Sequence, residues 1–372
     1  MPHGYAGQCR ADKHGAAGIV PAALRQLRNW QLPRDSVTME QRLAEYLSSR
    51  LEGATEVAVD GLSRIHGGSS QETFRFTGRW RDAHGAHEHR LILRRAPLSG
   101  LVNAEADIEF RVYAALAGKG LPVPKAWWLE LDPSWLERPF FIMDMLPGSA
   151  GSITAAEPYA GKELSVAADF WSYLGRLAAQ DPVALGLTAL RNAGEGSRFW
   201  ECELDYWEAR LDAGEAVVEP IVRGAIRWLR RNPPPEAAKP AICHGDYRSG
   251  NFLWLPEGRI SAILDWEMCH VSDPLEDVAW ALNPMWSVEK LMPLDQAFAR
   301  WEAESGVALD RHALEWWRLF ACVKACGIWT TAEASFEDGT SREAIIALTA
   351  LRASHFHRKE ILERMAERGA LG

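Results

Sequence analysis

Two apolar, β-rich runs, Phe252-Leu253-Trp254-Leu255 and Ile260-Ser261-Ala262-Ile263-Leu264, flank the turn Pro256-Glu257-Gly258-Arg259. That pattern commits the segment to a β-hairpin. Folded symmetrically about its turn, the hairpin sets Asn251 opposite Asp265 at the open end. Just upstream the chain reads His244-Gly245-Asp246-Tyr247-Arg248-Ser249-Gly250-Asn251, and downstream Asp265-Trp266-Glu267. An Asp, an Asn and a second Asp in this order are the groups that phosphoryl transfer from ATP needs. One carboxylate orients and deprotonates the attacking hydroxyl, and hard oxygen ligands hold Mg²⁺ on the phosphates. Asp246 fits the first role, and Asn251 with Asp265 the second. The bland alternative is a surface hairpin with a capping Asp and a chance Asn. Residue types, order and hairpin symmetry together argue against it.

Protein kinases build such a site from H-R-D-x-x-x-x-N and D-F-G segments, and their small lobe adds a phosphate-covering loop, a cation and an acid that positions the cation. Gly67-Gly68-Ser69-Ser70 lies between the expected strands Val57–Leu62 and Glu72–Phe76. Its glycines allow close backbone approach, and its serines and N–H groups suit a phosphate, although a plain hairpin turn has the same composition. Leu91-Ile92-Leu93-Arg94 is an apolar strand ending in a cation, where protein kinases carry V-A-I-K. Strand alternation sends Arg94 and Arg95 to opposite faces, so only one enters the cleft, and Arg94 is favoured. On the expected helix Asn103 to Leu116, Glu105 and Glu109 share a face at i, i+4, so either suits the cation, and a solvated helix face has the same pattern.

With these residues in place the chain resembles the aminoglycoside phosphotransferase and choline kinase-like family, relatives of the protein kinases. It is most similar to the bacterial branch that includes the kinase-like domains fused to acyl-CoA dehydrogenases. The resemblance runs from about residue 40 to about residue 360 and is most specific from Asp246 to the block Asp273-Pro274-Leu275-Glu276-Asp277-Val278-Ala279-Trp280. It implies an α+β, protein-kinase-like bilobal fold: a small antiparallel-sheet lobe over residues 36–146 and a mostly helical lobe over residues 147–372, with residues 1–35 as a disordered extension. The Arg pair in place of Lys occurs in the resembling branch. The family pattern selects Glu109 as the partner acid, makes Asp144, Met145 and Leu146 a hinge whose backbone reads the adenine edge, and has Asp277 brace the catalytic loop. Arg248 reaches substrate or phosphate, or neutralises nearby carboxylates; His244 is a core histidine that holds the loop.

Other features bound the remaining possibilities. Thr38 with Gln41 forms a capping box ahead of a stripe Met39, Leu43, Leu47 and Leu51. Further helices are expected at Phe170–Leu177, Phe199–Leu211, Pro220–Arg231, Leu275–Leu282, Ala313–Trp329 and Arg342–Met365. Ser272-Asp273-Pro274 reads as a helix start with Asp273 as its cap. No apolar run reaches the ~18 residues of a membrane span, and the N-terminus lacks the apolar core of a secretory signal. The six cysteines form no CxxC pair, and Cys322 and Cys326 read as packing residues, so a reduced, cytoplasmic setting is expected. A net charge of −9 argues against a nucleic-acid surface.

The acceptor is the least constrained element. Glu195, Glu201, Glu203, Asp205, Glu208, Asp212, Glu215 and Glu219 stand against Arg198 and Arg210, eight carboxylates against two arginines, a net of −6. In aminoglycoside-modifying relatives, acidic helical faces bind polycationic sugars. The interleaved Trp200, Tyr206, Trp207 and Leu211 also fit an ordinary amphipathic helix. Trp286, Trp316, Trp317 and Trp329 fit either core packing or an apolar pocket wall. Three readings follow: a kinase for a hydroxylated metabolite such as a hydroxyacyl-CoA, an aminoglycoside-type resistance phosphotransferase, and a nucleotide-binding pseudokinase. The last is disfavoured because Asp246, Asn251 and Asp265 are all present.

Overall fold

The structure, a computed structural model, describes residues 37–65, 71–96, 103–151, 159–193, 198–214, 219–237, 239–286, 291–337, 339 and 344–369. The expected extension 1–35 and the phosphate loop Gly67, Gly68, Ser69 and Ser70 lie outside them, as does the Glu105 side chain.

Helix α1 (Met39–Arg50) starts at the expected capping box. Gln41 N–H donates to Thr38 Oγ1 at 3.2 Å, and Thr38 N–H to Gln41 Oε1 at 2.8 Å. Strands β1 (Thr55–Ile65), β2 (Glu72–Asp82), β3 (Gly85–Arg95), β4 (Ala126–Glu130) and β5 (Phe140–Asp144) form one antiparallel sheet in the order β1-β2-β3-β5-β4. β2 and β3 run well beyond the expected Glu72–Phe76 and Leu91–Arg94. Their outer halves alternate Arg75, Arg79 and Arg81 with Phe76, Gly78 and Trp80, which is sufficient for a sheet with one wet face.

The two sheet faces serve two cores. Leu91 and Leu93 of β3 pack with Leu43, Tyr46 and Leu47 of α1, whereas Ile92 joins the main core with Val112, Tyr113 and Leu116 of α2 (Asn103–Leu116). Period-2 alternation therefore directs Arg94 inward and Arg95 outward.

After a short strand β6 (Ser149–Ala150) the chain turns mainly helical: α3 (Glu163–Ala179), α4 (Phe199–Gly214) and α5 (Pro220–Arg231). Strand β7 (Ala241–Cys243), the hairpin β8 (Phe252–Trp254) and β9 (Ile260–Ile263), and strand β10 (His270–Ser272) interrupt them. Then follow α6 (Leu275–Ala281), α7 (Leu294–Ser305), α8 (Arg311–Glu337) and α9 (Ala344–Glu367). Helix α7 was not among the expected helices. It buries Ala297, Phe298 and Trp301, and it approaches α3 so closely that a Cβ on Gly175 would lie 2.7 Å from Trp301 O. Cys322 and Cys326 are buried in α8, and Trp316 and Trp317 are core residues. Among the described residues no helix is long and apolar enough to cross a membrane. The result is the expected α+β bilobal architecture.

Candidate active site

The loop after β7 is anchored from behind. Asp277 of α6 accepts the His244 N–H at 2.6 Å and the Gly245 N–H at 3.0 Å. Burial raises its carboxyl above the ordinary carboxylate range, and His244 and Lys324 pull it back down. Gly245 has φ +82° and a Cβ there would overlap Met268 O, so only glycine fits. His244 is fully buried; its Nε2 lies 2.9 Å from Leu264 O and its Nδ1 3.2 Å from Asp246 N. With Nδ1 facing the Asp246 amide and Nε2 facing the Leu264 carbonyl, His244 braces the loop against the hairpin. Asp273 Oδ1 accepts the Leu275 N–H at 2.8 Å and so caps α6 as its sequence suggested.

Asp246 stands at the tip of this loop with its carboxylate held on several sides. Arg248 Nε lies 3.0 Å from both oxygens, Asn251 Nδ2 lies 2.7 Å from Oδ2, and Trp280 Nε1 lies 2.8 Å from Oδ1. Of the two uses weighed for Arg248, the structure displays neutralisation of a carboxylate. Its guanidinium lies over Gly250, where a Cβ would collide with Nη1.

The hairpin register differs by one residue from the symmetric fold. β8 pairs Phe252 with Ile263 and Leu253 with Ala262, and the Leu264 N–H donates to Asn251 O at 2.8 Å. Leu264, not Asp265, therefore faces Asn251. Asp265 leaves the ladder in a left-handed conformation (φ +71°, ψ +58°), and its N–H lies 3.2 Å from Tyr113 Oη. A non-glycine residue there costs ~1–2 kcal/mol. The turn aims the Asp265 carboxylate at the small lobe, 3.1 Å from Arg94 Nη2. Alternation alone does not give that direction.

Arg94 joins the lobes. Its Nη1 lies 3.3 Å from Glu109 Oε1, its Nε 3.3 Å from Gln71 Oε1, and its Nη2 4.0 Å from Glu267 Oε2. Burial opposes its charge, but Glu109 and Asp265 outweigh that and hold it firmly protonated. Glu109 is fully buried; burial pushes its carboxyl up to about 7, and Arg94 opposes the rise. Gln71 Nε2 also donates to Glu109 Oε2 at 3.2 Å, so this glutamine bridges cation and acid. Arg95 points to the other face, with its Nη2 2.7 Å from Glu72.

At the interlobe segment, the Met145 N–H donates to Arg90 O at 2.9 Å and Asp144 Oδ1 accepts from Trp127 Nε1 at 2.6 Å. Gln71, Tyr113, Glu267 and Trp280 are site residues that the sequence reading left without a role. The signal for Trp280 was its position three residues after Asp277, on the same helix face. Nothing in the local pattern marks Gln71.

Of the two uses weighed for the acidic run, the contacts fit an ordinary amphipathic helix whose acids pair with neighbouring arginines. Arg230 of α5 contacts Asp205 and Glu208 of α4 at 2.6 Å each, Arg223 contacts Asp212 at 2.6 Å, and Glu219 pairs with Arg358 at 2.6 Å. Glu203 is fully buried against Arg191. These carboxylates are matched by arginines that lie later in the chain or on another element. Glu195 and Glu215 lie outside the described residues.

The helical lobe thus sets Asp246 against Asn251, and the turn after the hairpin sets Asp265 against Arg94 of the sheet lobe, which Glu109 backs. Residues 61–317 match the phosphotransferase enzyme family, and the chain belongs to that family. In sequence it is similar to mouse acyl-CoA dehydrogenase family member 10, with 30% identity over 200 residues; the match covers 52% of this chain and only 18% of that relative's length. In fold it is similar to a candidate aminoglycoside phosphotransferase of Ralstonia eutropha, with TM-score 0.70 and 21% identity, covering 88% of this chain and 98% of the other. A thermostable mutant of aminoglycoside phosphotransferase APH(4)-Ia, in a ternary complex with AMP-PNP and hygromycin B, shares the fold with TM-score 0.55 and 18% identity, covering 89% and 98%.

Proposed function

We infer that the chain transfers the γ-phosphoryl group of MgATP to a hydroxyl of a metabolite, and that the acceptor is a hydroxylated compound such as a hydroxyacyl-CoA. The observation that carries this reading is the contact of Asp246 with Asn251 at the open end of a hairpin whose other strand turns Asp265 into the cleft. Asp246 is the base: its carboxylate orients the acceptor hydroxyl and takes its proton as the O–P bond forms. Arg248 shares both Asp246 oxygens, so the acceptor reaches the base only as Arg248 yields one of them. Asn251 directs its Nδ2 to Asp246 O and Oδ2, which leaves the amide oxygen for a cation. With Asp265 it forms a pair of hard oxygen donors suited to Mg²⁺. Bound Mg²⁺ supplies charge neutralisation on the phosphate oxygens. Arg94, steadied by Glu109, holds phosphate as a planar fork. The backbone of Asp144, Met145 and Leu146 serves to read the adenine edge, although the Met145 N–H is already bonded to Arg90 O and the Asp144 N–H to Lys125 O.

Two observations support the metabolite over a polycationic antibiotic. The α4 carboxylates that would attract a polycation are paired with arginines of α5. The sequence relatives carry acyl-CoA dehydrogenase names. The test is ADP release from MgATP against hydroxyacyl-CoAs, free hydroxylated metabolites and aminoglycosides. Stimulation by one acyl-CoA class, lost in Asp246→Asn while MgATP binding persists, is the expected result. Stimulation by aminoglycosides alone refutes the acceptor; no MgATP binding refutes the site.

A further inference from the structure

Asp246 has one partner that moves independently of its own loop. Arg248 and Asn251 lie within five residues of it and travel with the loop. Trp280 belongs to α6, the helix whose Asp277 already anchors the start of that loop. An indole N–H can only donate, so at 2.8 Å from Oδ1 it fixes one carboxylate oxygen to a helix of the large lobe.

The indole is enclosed by packing. Trp280 is 2% exposed, and the Trp286 ring packs on it with centroids 4.7 Å apart. Trp286 Nε1 in turn donates to Trp280 O at 3.0 Å. A charge also lies against the ring: Lys324 of α8, fully buried, places its ammonium 4.8 Å from the Trp280 ring centroid. A cation over an indole face draws electron density from the ring and strengthens the N–H as a donor. Lys324 is kept there by Glu276 at 2.9 Å, and Glu276 by His270 at 3.0 Å, with Glu203 3.4 Å from His270. Burying such a run of charges confers little stability over apolar residues of the same shape. Lys324 neutralises Glu276 and Arg191 pairs with Glu203, so the carboxylates of this cluster are balanced by protein cations.

We propose that Trp280 is the positioning residue for the Asp246 carboxylate, with Lys324 strengthening its N–H. The orientation of the base is thereby set by the body of the large lobe. This rests on the reading of Asp246 as the base.

Trp280→Phe keeps the aromatic packing and deletes the donor. The expected result is a fall in kcat of about tenfold or more, the factor for a lost hydrogen bond to a charged group. The Kd for MgATP by calorimetry and the thermal midpoint stay at wild-type values. An unchanged kcat overturns the inference, as does a fall in MgATP affinity and midpoint that matches the fall in kcat. A second readout needs neither turnover nor the Phe variant. The ¹⁵N–¹H indole resonance of Trp280, assigned through its contacts with Trp286, should shift upfield in Asp246→Asn as the acceptor loses its charge. A resonance that ignores Asp246→Asn overturns the inference whatever the activity. Absence of turnover in the wild type against every acceptor would refute the kinase reading alone.

Discussion

Replacing Asp277 by asparagine tests whether the catalytic loop is held from behind as the geometry indicates. The carboxylate accepts two backbone N–H groups, one on each oxygen, at 2.6 and 3.0 Å. Asparagine keeps one oxygen and turns an NH₂ donor toward the other N–H. One charge-assisted bond is lost, the second becomes an ordinary one, and a buried N–H is left without an acceptor. Losing the charge-assisted bond costs about 1.5–3 kcal/mol, and the orphaned N–H about 1–3 kcal/mol more. Burial already raises the Asp277 carboxyl, so removing its charge returns part of that cost. A net destabilisation of about 3 kcal/mol is therefore expected. Urea titration followed by tryptophan fluorescence measures it directly. Asp246 is two residues beyond His244, so kcat should fall as well under conditions where the variant is fully folded. A variant within about 0.5 kcal/mol of the wild type, the range of a surface substitution, would refute the anchoring role.

Two neighbouring glycines should respond differently. Gly245→Ala meets backbone at Met268 O with φ +82° and should destabilise by several kcal/mol, whereas the Cβ of Gly250→Ala meets only the mobile end of Arg248. Gly250→Ala should leave the thermal midpoint within a few degrees of the wild type while displacing Arg248 from Asp246 and changing the KM for the acceptor. Burial holds the His357 imidazole down at about 4, against an ordinary 6.5. The unfolded chain gains this proton first, so stability is complete above about pH 6.5 and declines as pH drops toward 4. Urea midpoints measured across that range should flatten in His357→Gln. Arg94→Lys should raise the KM for MgATP, because one ammonium cannot span Gln71, Glu109 and Asp265.

Much of the site was legible because its chemistry is compressed into 24 residues, from His244 to Glu267. Apolar runs and a Pro-Gly turn define that hairpin, and the pattern located it correctly. The one-residue register difference is set nearer the turn, where the Leu255 N–H donates to Arg259 O and a bulge between Leu253 and Trp254 shifts the pairing. The left-handed Asp265 then leaves the ladder, and an aspartate in that conformation has the same sequence as one in a strand. The direction of Arg94 followed from alternation, since Leu91 and Leu93 had to face one core and Ile92 the other. What stayed hidden depends on distant segments. The arginines that pair with the α4 acids lie on another helix, so a local charge count could not show them. Trp280 looked like one more core aromatic because its hydrogen bond crosses 34 residues to Asp246.

The two adjacent arginines of β3 make cleft assembly a matter of parity. β3 is locked between β2 and β5 by eleven pairings on one side and five on the other. A slip of one residue would exchange Arg94 for Arg95 and turn Leu91 and Leu93 away from α1. A slip of two restores the faces but moves the cation a full repeat along the strand. The small lobe therefore has no partly competent arrangement, because cation placement and α1 docking succeed or fail together. Insertions in the turn Ala83-His84 sort by the same rule. Those absorbed within the loop are silent, whereas any that shifts β3 by a single residue removes the Arg94 contacts with Glu109 and Asp265 and the outer core at once.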